Sequence, residues 1–207
     1  MSGHNSKDNN IIVNRSANIS RKTSETDINL ELNLDGSGQT EIDTGIGFFD
    51  HMLNSFARHG FFDLKVKVNG DLYVDSHHTI EDVGIVLGNA IQKAVGDKKG
   101  IKRYGSVILP MDDALVLCSL DLSGRAYLAY NVECTVEKVG YMDTEMVKEF
   151  FHAVSYAAGM NLHIKQMDGS NNHHIIEAVF KSFAKALDEA LKKDDRISDV
   201  LSTKGAL

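Results

Sequence analysis

The sequence predicts an α+β fold made by tandem duplication of a ββαβα-type unit. Two observations carry this expectation. The pentapeptide H-H-x-I-E occurs twice, as His77-His78-Thr79-Ile80-Glu81 and as His173-His174-Ile175-Ile176-Glu177. Ahead of each copy, strand-period and helix-period segments follow one another in the same order. The repeat distance of roughly 100 residues is that of a duplicated domain half, well beyond the period of a solenoid.

Each element has its own signal. Residues 1–10 are polar and read as a frayed tail. Residues 11–19 alternate weakly, and residues 28–34 alternate strictly until Asp35-Gly36 ends the run. The polar residues 20–26 read as the loop between these strands. Apolar residues at helical spacing (Phe49, Met52, Leu53, Phe56, Ala57) predict a helix over 49–59, stopped by Gly60. A strand over 63–68 and a helix over 79–95 complete the first half, and the basic turn 96–100 separates the halves. The second half repeats the series: strands at 106–109, 114–122 and 126–132, a helix over 145–159, a strand over 161–167 and a helix over 173–192. The resulting division is a tail at 1–10, a first half at 11–98, a second half at 99–195 and a C-terminal tail at 196–207. The two halves are expected to form one functional domain.

Bulk properties exclude several function classes. Hydrophobic content of 43% and charged content of 25% suit an ordinary globular protein. A net charge of -7 argues against nucleic acid or an anionic membrane as partner. No apolar run nears the ~18–20 residues of a membrane span. Neither a signal-peptide pattern nor an Arg-rich transit peptide opens the chain, so a cytoplasmic location is expected. Cys118 and Cys134, the two cysteines, read as buried thiols in a reducing compartment.

The histidines carry the chemistry. The segment Phe48-Phe49-Asp50-His51 in the first half matches Glu149-Phe150-Phe151-His152 in the second, and each places a lone histidine early in a helix. Each half thus offers three imidazoles and one carboxylate. Imidazole suits Zn, Fe, Mn and Ni, and an added carboxylate favours harder ions such as Mn or Fe(II). Four ligands on an octahedral ion leave two positions open, as catalysis requires. Helix geometry divides the ligands. Residues i and i+4 share a face, while adjacent residues diverge by about 100°. One expected site is therefore His77, Glu81, His152 and His174, and the other is His51, His78, His173 and Glu177. Of the remaining histidines, His4 lies in the tail, His163 falls on a strand, and His59 sits near a helix end where it complements the dipole.

These residues, with the motifs around them, resemble the imidazoleglycerol-phosphate dehydratase family from about Arg21 to Ala206. The matching segments are residues 47–53 (GFFDHML), 75–82 (DSHHTIED), 100–105 (GIKRYG), 121–125 (DLSGR) and 169–178 (GSNNHHIIEA). The resemblance implies two four-stranded sheets sandwiching a layer of helices, an arrangement shared with the second domain of a ribosomal protein. It implies a 24-subunit homo-oligomer with active sites shared between subunits and two Mn²⁺ ions per site. The implied activity is a hydro-lyase of histidine biosynthesis, converting D-erythro-imidazole glycerol phosphate to imidazole acetol phosphate. Catalytic positions carried over are Glu25, Glu81, Glu177, His51 and His78, with Glu25 the acid/base candidate. Substrate-binding positions are Glu25, His51, His59, His77, Glu81, Arg103, Arg125, His173, Lys181, Ser202, Thr203 and Lys204, the cations among them suiting a phosphate. Two other readings fit part of the pattern. A dinuclear phosphoesterase would normally use Asp-rich ligands. A non-catalytic metal-binding cage leaves Arg103, Arg125 and Lys181 without a role.

Overall fold

The first half begins with a hairpin. β1 (Ser16–Lys22) pairs antiparallel with β2 (Thr26–Asn33), Ser16 opposite Asn33 and Lys22 opposite Asp27. The computed structural model describes residues 15–206, so the expected tail at 1–10 and His4 lie outside the described residues. Residues 20–22, expected in a loop, continue β1. It is an edge strand with its polar side chains outward, so the ladder runs on through a segment whose polarity suggests a turn.

β3 (Thr40–Asp43), α1 (Gly47–Gly60), β4 (Asp63–Gly70) and α2 (His77–Val95) follow. The sheet order is β1-β2-β4-β3, with β3 parallel to β4. β3 carries no periodic signal in the sequence because it is four residues long and mostly exposed. α1 ends differently from the expectation. The residue with left-handed backbone is Phe61 (φ 59°), not Gly60, and its N–H returns to Ala57 O. Gly60 is needed for space: a Cβ there would lie 2.2 Å from the Phe62 ring.

The second half repeats the plan with β5 (Tyr104–Met111), β6 (Ala114–Asp121), β7 (Tyr127–Asn131), α3 (Met146–Ala158), β10 (Asn161–Asp168) and α4 (Asn172–Leu191). Its sheet order is β5-β6-β10-β7, again with one parallel pair. A short hairpin of β8 (Lys138–Val139) and β9 (Met142–Asp143) interrupts the second copy before α3. The duplicated unit is therefore β-β-β-α-β-α, and the third strand makes each sheet four-stranded.

The helices form a layer between the sheets and pair across the halves. α1 lies along α4 in the same direction, Phe56 stacking on Phe183 at 5.5 Å and Lys185 Nζ lying 4.6 Å over the Phe61 ring. α2 lies likewise along α3, where Gly84 and Gly88 let the backbones approach. A Cβ on Gly88 would sit 2.6 Å from Ala157 Cβ and 2.7 Å from Val154 O. Phe49, Phe56, Phe150, Phe151, Phe180 and Phe183 fill the centre. Cys118 is buried as expected, and Cys134 is half-buried. No described helix is long and apolar enough to cross a membrane.

Candidate active site

Side-chain hydrogen bonds hold the starts of α1, α2 and α4. Thr44 donates its backbone N–H (3.0 Å) and Oγ1 (2.6 Å) to Asp50 Oδ1, pinning the first turn of α1 and placing His51. Asp75 Oδ1 accepts from His77 N at 2.7 Å. The equivalent Asn171 Oδ1 accepts from His173 N and His174 N at 3.0 and 3.3 Å. An Asx residue two positions before each histidine pair thus satisfies free N–H groups and sets the direction in which the imidazoles leave the helix.

The crossing of α1 onto α4 brings ligands from both halves together. His51, His173 and Glu177 place one donor atom each within 4.8 Å of one another. Glu177 Oε2 lies 3.6 Å from His51 Nε2 and 3.2 Å from His173 Nε2. Its other oxygen accepts from Lys181 Nζ at 2.7 Å. Burial of Glu177 works to raise its pKa, but the hydrogen bond and charge of Lys181, with His51 and His173, outweigh burial and hold the carboxyl below its ordinary value. Phe48 closes one side with its ring 5.1 Å from His173. On α2, His77 Nε2 stands 3.6 Å from Glu81 Oε2, the same i,i+4 pairing.

His78 and His174 point elsewhere, as adjacent helical residues must. His78 Nδ1 is held by Asp71 at 3.0 Å, with Glu25 Oε1 3.8 Å from its Nε2. The hydrogen bond to Asp71 raises the His78 pKa, with Glu25 adding to it. His174 Nδ1 is held by Asp113 at 2.7 Å, and Asp112 lies 3.4 Å from its Nε2. A carboxylate on Nδ1 fixes the ring and makes Nε2 the ligating nitrogen, the usual support behind a metal-bound histidine. His152 stacks on Tyr156 at 4.3 Å. One chain therefore gathers three members of one expected ligand set (His51, His173, Glu177) and two of the other (His77, Glu81). The two separated imidazoles of the H-H pairs, His78 and His174, occupy equivalent positions. The donor set, imidazole with one carboxylate, fits a borderline-hard divalent cation.

The same chemistry marks a known family. The imidazoleglycerol-phosphate dehydratase family model matches residues 44–187. An imidazoleglycerol-phosphate dehydratase of Lachnoclostridium phytofermentans is 71% identical over 195 residues, covering 94% of this chain and 100% of that protein. One from Acetivibrio thermocellus is 62% identical over 195 residues, with the same coverage. The crystal structure of the Staphylococcus aureus dehydratase superposes with a TM-score of 0.79 at 40% identity, covering 86% of this chain and 99% of that one. The chain belongs to the imidazoleglycerol-phosphate dehydratase family. A Pyrococcus furiosus structure of that family agrees, with a TM-score of 0.78 at 37% identity and coverage of 91% and 100%.

In this dehydratase-family chain the cationic residues fall into two groups. Arg103, Arg125, Ser202, Thr203 and Lys204 line a cavity of about 750 Å³ that the C-terminal tail closes. Arg103, left-handed at φ 69°, donates to Asp121 (2.6 and 3.0 Å) and to Leu201 O (2.6 Å), so it anchors the tail. Arg125 is exposed, and among the described residues its side chain reaches only Ser123 O, at 3.5 Å. Lys181 belongs instead to the Glu177 cluster. His59 lies near it, its pKa lowered first by burial and then by the charges of Lys181 and Lys185. The sequence analysis missed Asp71, Asp112 and Asp113. Asp113 is 61 residues from His174 and meets it only through the fold, whereas Asp71 precedes His78 by 7 residues and carries no motif that marks it.

Proposed function

We propose that the chain dehydrates imidazole glycerol phosphate to imidazole acetol phosphate in histidine biosynthesis, as a cytoplasmic hydro-lyase with two Mn²⁺ ions per active site. The observation that carries this reading is the convergence of His51, His173 and Glu177 beside Lys181 and His59: metal donors next to phosphate-binding groups. His51, His78, His173 and Glu177 would hold one ion, and His77, Glu81, His152 and His174 the other. Bound Mn²⁺ supplies Lewis acidity that favours the deprotonated imidazole ring.

The chain's own residues account for the remaining steps. Glu25, half-exposed at a hairpin turn 3.8 Å from His78 Nε2, is the carboxylate assigned to take the proton from the side-chain carbon. The C–OH bond beside the ring breaks, hydroxide leaves as water, and the enol becomes the ketone. His51, His77, His173 and Glu81 face the ring. Arg103, Arg125, Ser202, Thr203 and Lys204 cradle the phosphate, with Lys181 and His59 completing the cage.

Distance makes the site composite. The Arg103 N–H binds Ala190 O near the end of α4, whereas His173 opens that helix. The 17 intervening steps put these groups about 25 Å apart. A three-carbon phosphate arm cannot span that gap. The cavity of one chain must serve the histidines of another, as a 24-subunit assembly with shared sites would provide.

Incubating the purified protein with Mn²⁺ and imidazole glycerol phosphate tests the reading. The expected product is the ketone, seen as its enol absorbance in alkali. Release of inorganic phosphate instead would establish a phosphoesterase. Stoichiometric metal with neither product would leave a metal-binding cage.

A further inference from the structure

The two halves share a frame, so any costly feature present in only one of them needs a reason. The side chain of Asp82, which follows the first H-H-x-I-E, is buried. It accepts from Arg21 Nε and Nη2 at 3.0 Å each and from Thr26 Oγ1. Asp82 and Thr26 are 7% and 2% exposed. The equivalent positions in the second half are Ala178 and Ala114, both buried. The fold therefore tolerates two alanines where the first half keeps a buried carboxylate and a buried hydroxyl, joined by Arg21. Burying such groups is costly and rarely repaid in stability alone.

The clamp grips a turn that the second half holds in another way. Both hairpins keep one register: Lys22 pairs with Asp27 and Thr23 N donates to Thr26 O at 2.8 Å, leaving Ser24 and Glu25 at the tip, as Met111 pairs with Ala114 around Asp112 and Asp113. Glu25 therefore stands at the position of Asp113, which is fixed by Ser170 N (2.7 Å) and Asn171 N (2.9 Å), whereas among the described residues no hydrogen bond fixes the Glu25 carboxylate. Within the first turn, Thr23 Oγ1 accepts from Glu25 N (3.1 Å) and Thr26 N (3.0 Å). Glu25 O accepts from Asp71 N at 3.1 Å, and Asp71 holds His78. Arg21 and Thr26 flank the loop, and both bind one carboxylate on α2, a turn beyond His78.

We infer that Asp82 is a positioning residue: with Arg21 and Thr26 it clamps the 23–26 loop to α2 so that Glu25 faces His78. This rests on the reading of Glu25 as the acid/base. Misplacing a reacting group by about an ångström costs up to ~100-fold in rate.

The test is the double substitution Asp82→Ala with Thr26→Ala, which copies the second half, made in the full-length Mn²⁺-loaded protein with and without Glu25→Gln. The expected result is a kcat lowered about 10- to 100-fold, with KM within about two-fold and metal content and solution mass unchanged. In the Glu25→Gln background the same pair should lower the residual rate by less than about two-fold, because the two changes act through one carboxylate. A folded double variant with kcat within about two-fold of the parent overturns the inference. So does a full additional loss in the Glu25→Gln background, or a loss of kcat that tracks a loss of metal. Should the double variant fail to fold, Thr26→Val is judged by the same limits, and Thr26→Ser must restore the rate. A fully active Glu25→Gln protein would remove the acid/base reading itself. An inactive Glu25→Gln beside an active clamp variant would remove only the clamp.

Discussion

Mixed assemblies of two inactive chains should regain activity, because α4 separates the His51–His173–Glu177 cluster from the Arg103–Arg125 cavity. His173→Ala removes a ligand at the helix start. Arg125→Ala removes an exposed cavity cation while leaving the Arg103–Asp121 pair that anchors the tail. A lost charge-assisted phosphate bond costs about 1.5–3 kcal/mol, or roughly 10- to 150-fold in kcat/KM. Each variant alone should therefore be inactive or nearly so. If one chain supplies His173 and a neighbour supplies Arg125, random co-assembly at equal amounts gives both intact groups to about one site in four. Co-expressed tagged chains, purified through both tags and assayed for the enol product, should show about a quarter of parental kcat per site. A mixture no more active than the average of its two parents would mean that one chain supplies both groups. The 25 Å argument would then be wrong.

Three further outcomes follow from particular contacts. Truncation after Leu201 keeps the carbonyl that Arg103 binds but removes Ser202, Thr203 and Lys204 from the cavity. Steady-state kinetics should show KM raised about ten-fold or more with a smaller change in kcat. Phe183→Ala empties a fully buried position that touches Phe56 and Phe151, and chemical denaturation should report a loss of about 3–5 kcal/mol. Asp63 accepts from Ser37 N (2.8 Å) and Gln39 N (3.0 Å), and these backbone bonds depress its pKa. Its stabilising contribution is complete above the unfolded carboxyl value near ~3.9 and is lost as pH falls through the lower folded value. Acid melts of Asp63→Asn should therefore show a shallower decline of Tm below about pH 4 than the parent shows.

Much of this was legible before any coordinates. The strict alternation of residues 28–34, and the helical spacing of Phe49, Met52, Leu53 and Phe56, reflect burial on one face and appear in the fold where expected, as does the strand at 114–122. The i,i+4 pairing of His77 with Glu81 and His173 with Glu177 is local geometry and needs no tertiary information. Illegible features depend on neighbours distant in sequence. β3 and the β8–β9 hairpin are too short and exposed to develop a period. Pairing of α1 with α4, rather than with its own half's α2, is a packing outcome that puts His51 beside Glu177. Asp71 and Asp113 are ordinary turn acids until the fold sets them behind His78 and His174.

The duplication also locates where the halves diverged. Their sheets, helix order and histidine pairs remain equivalent, and both second histidines keep a carboxylate on Nδ1. That carboxylate is not the equivalent one. Asp113, on the short β5–β6 turn, receives Ser170 N, Asn171 N and His174 Nδ1, a structural post whose pKa those bonds depress. In the first half Asp71, just after β4, takes over that post, and Glu25 stands at the position of Asp113 on a turn of the same length. Glu25 is thereby released from holding His78 and set 3.8 Å from its other nitrogen. On the proposed acid/base reading, separating the two duties onto Asp71 and Glu25 leaves one carboxylate free to move a proton without disturbing the His78 ring, which the second half's committed Asp113 does not offer.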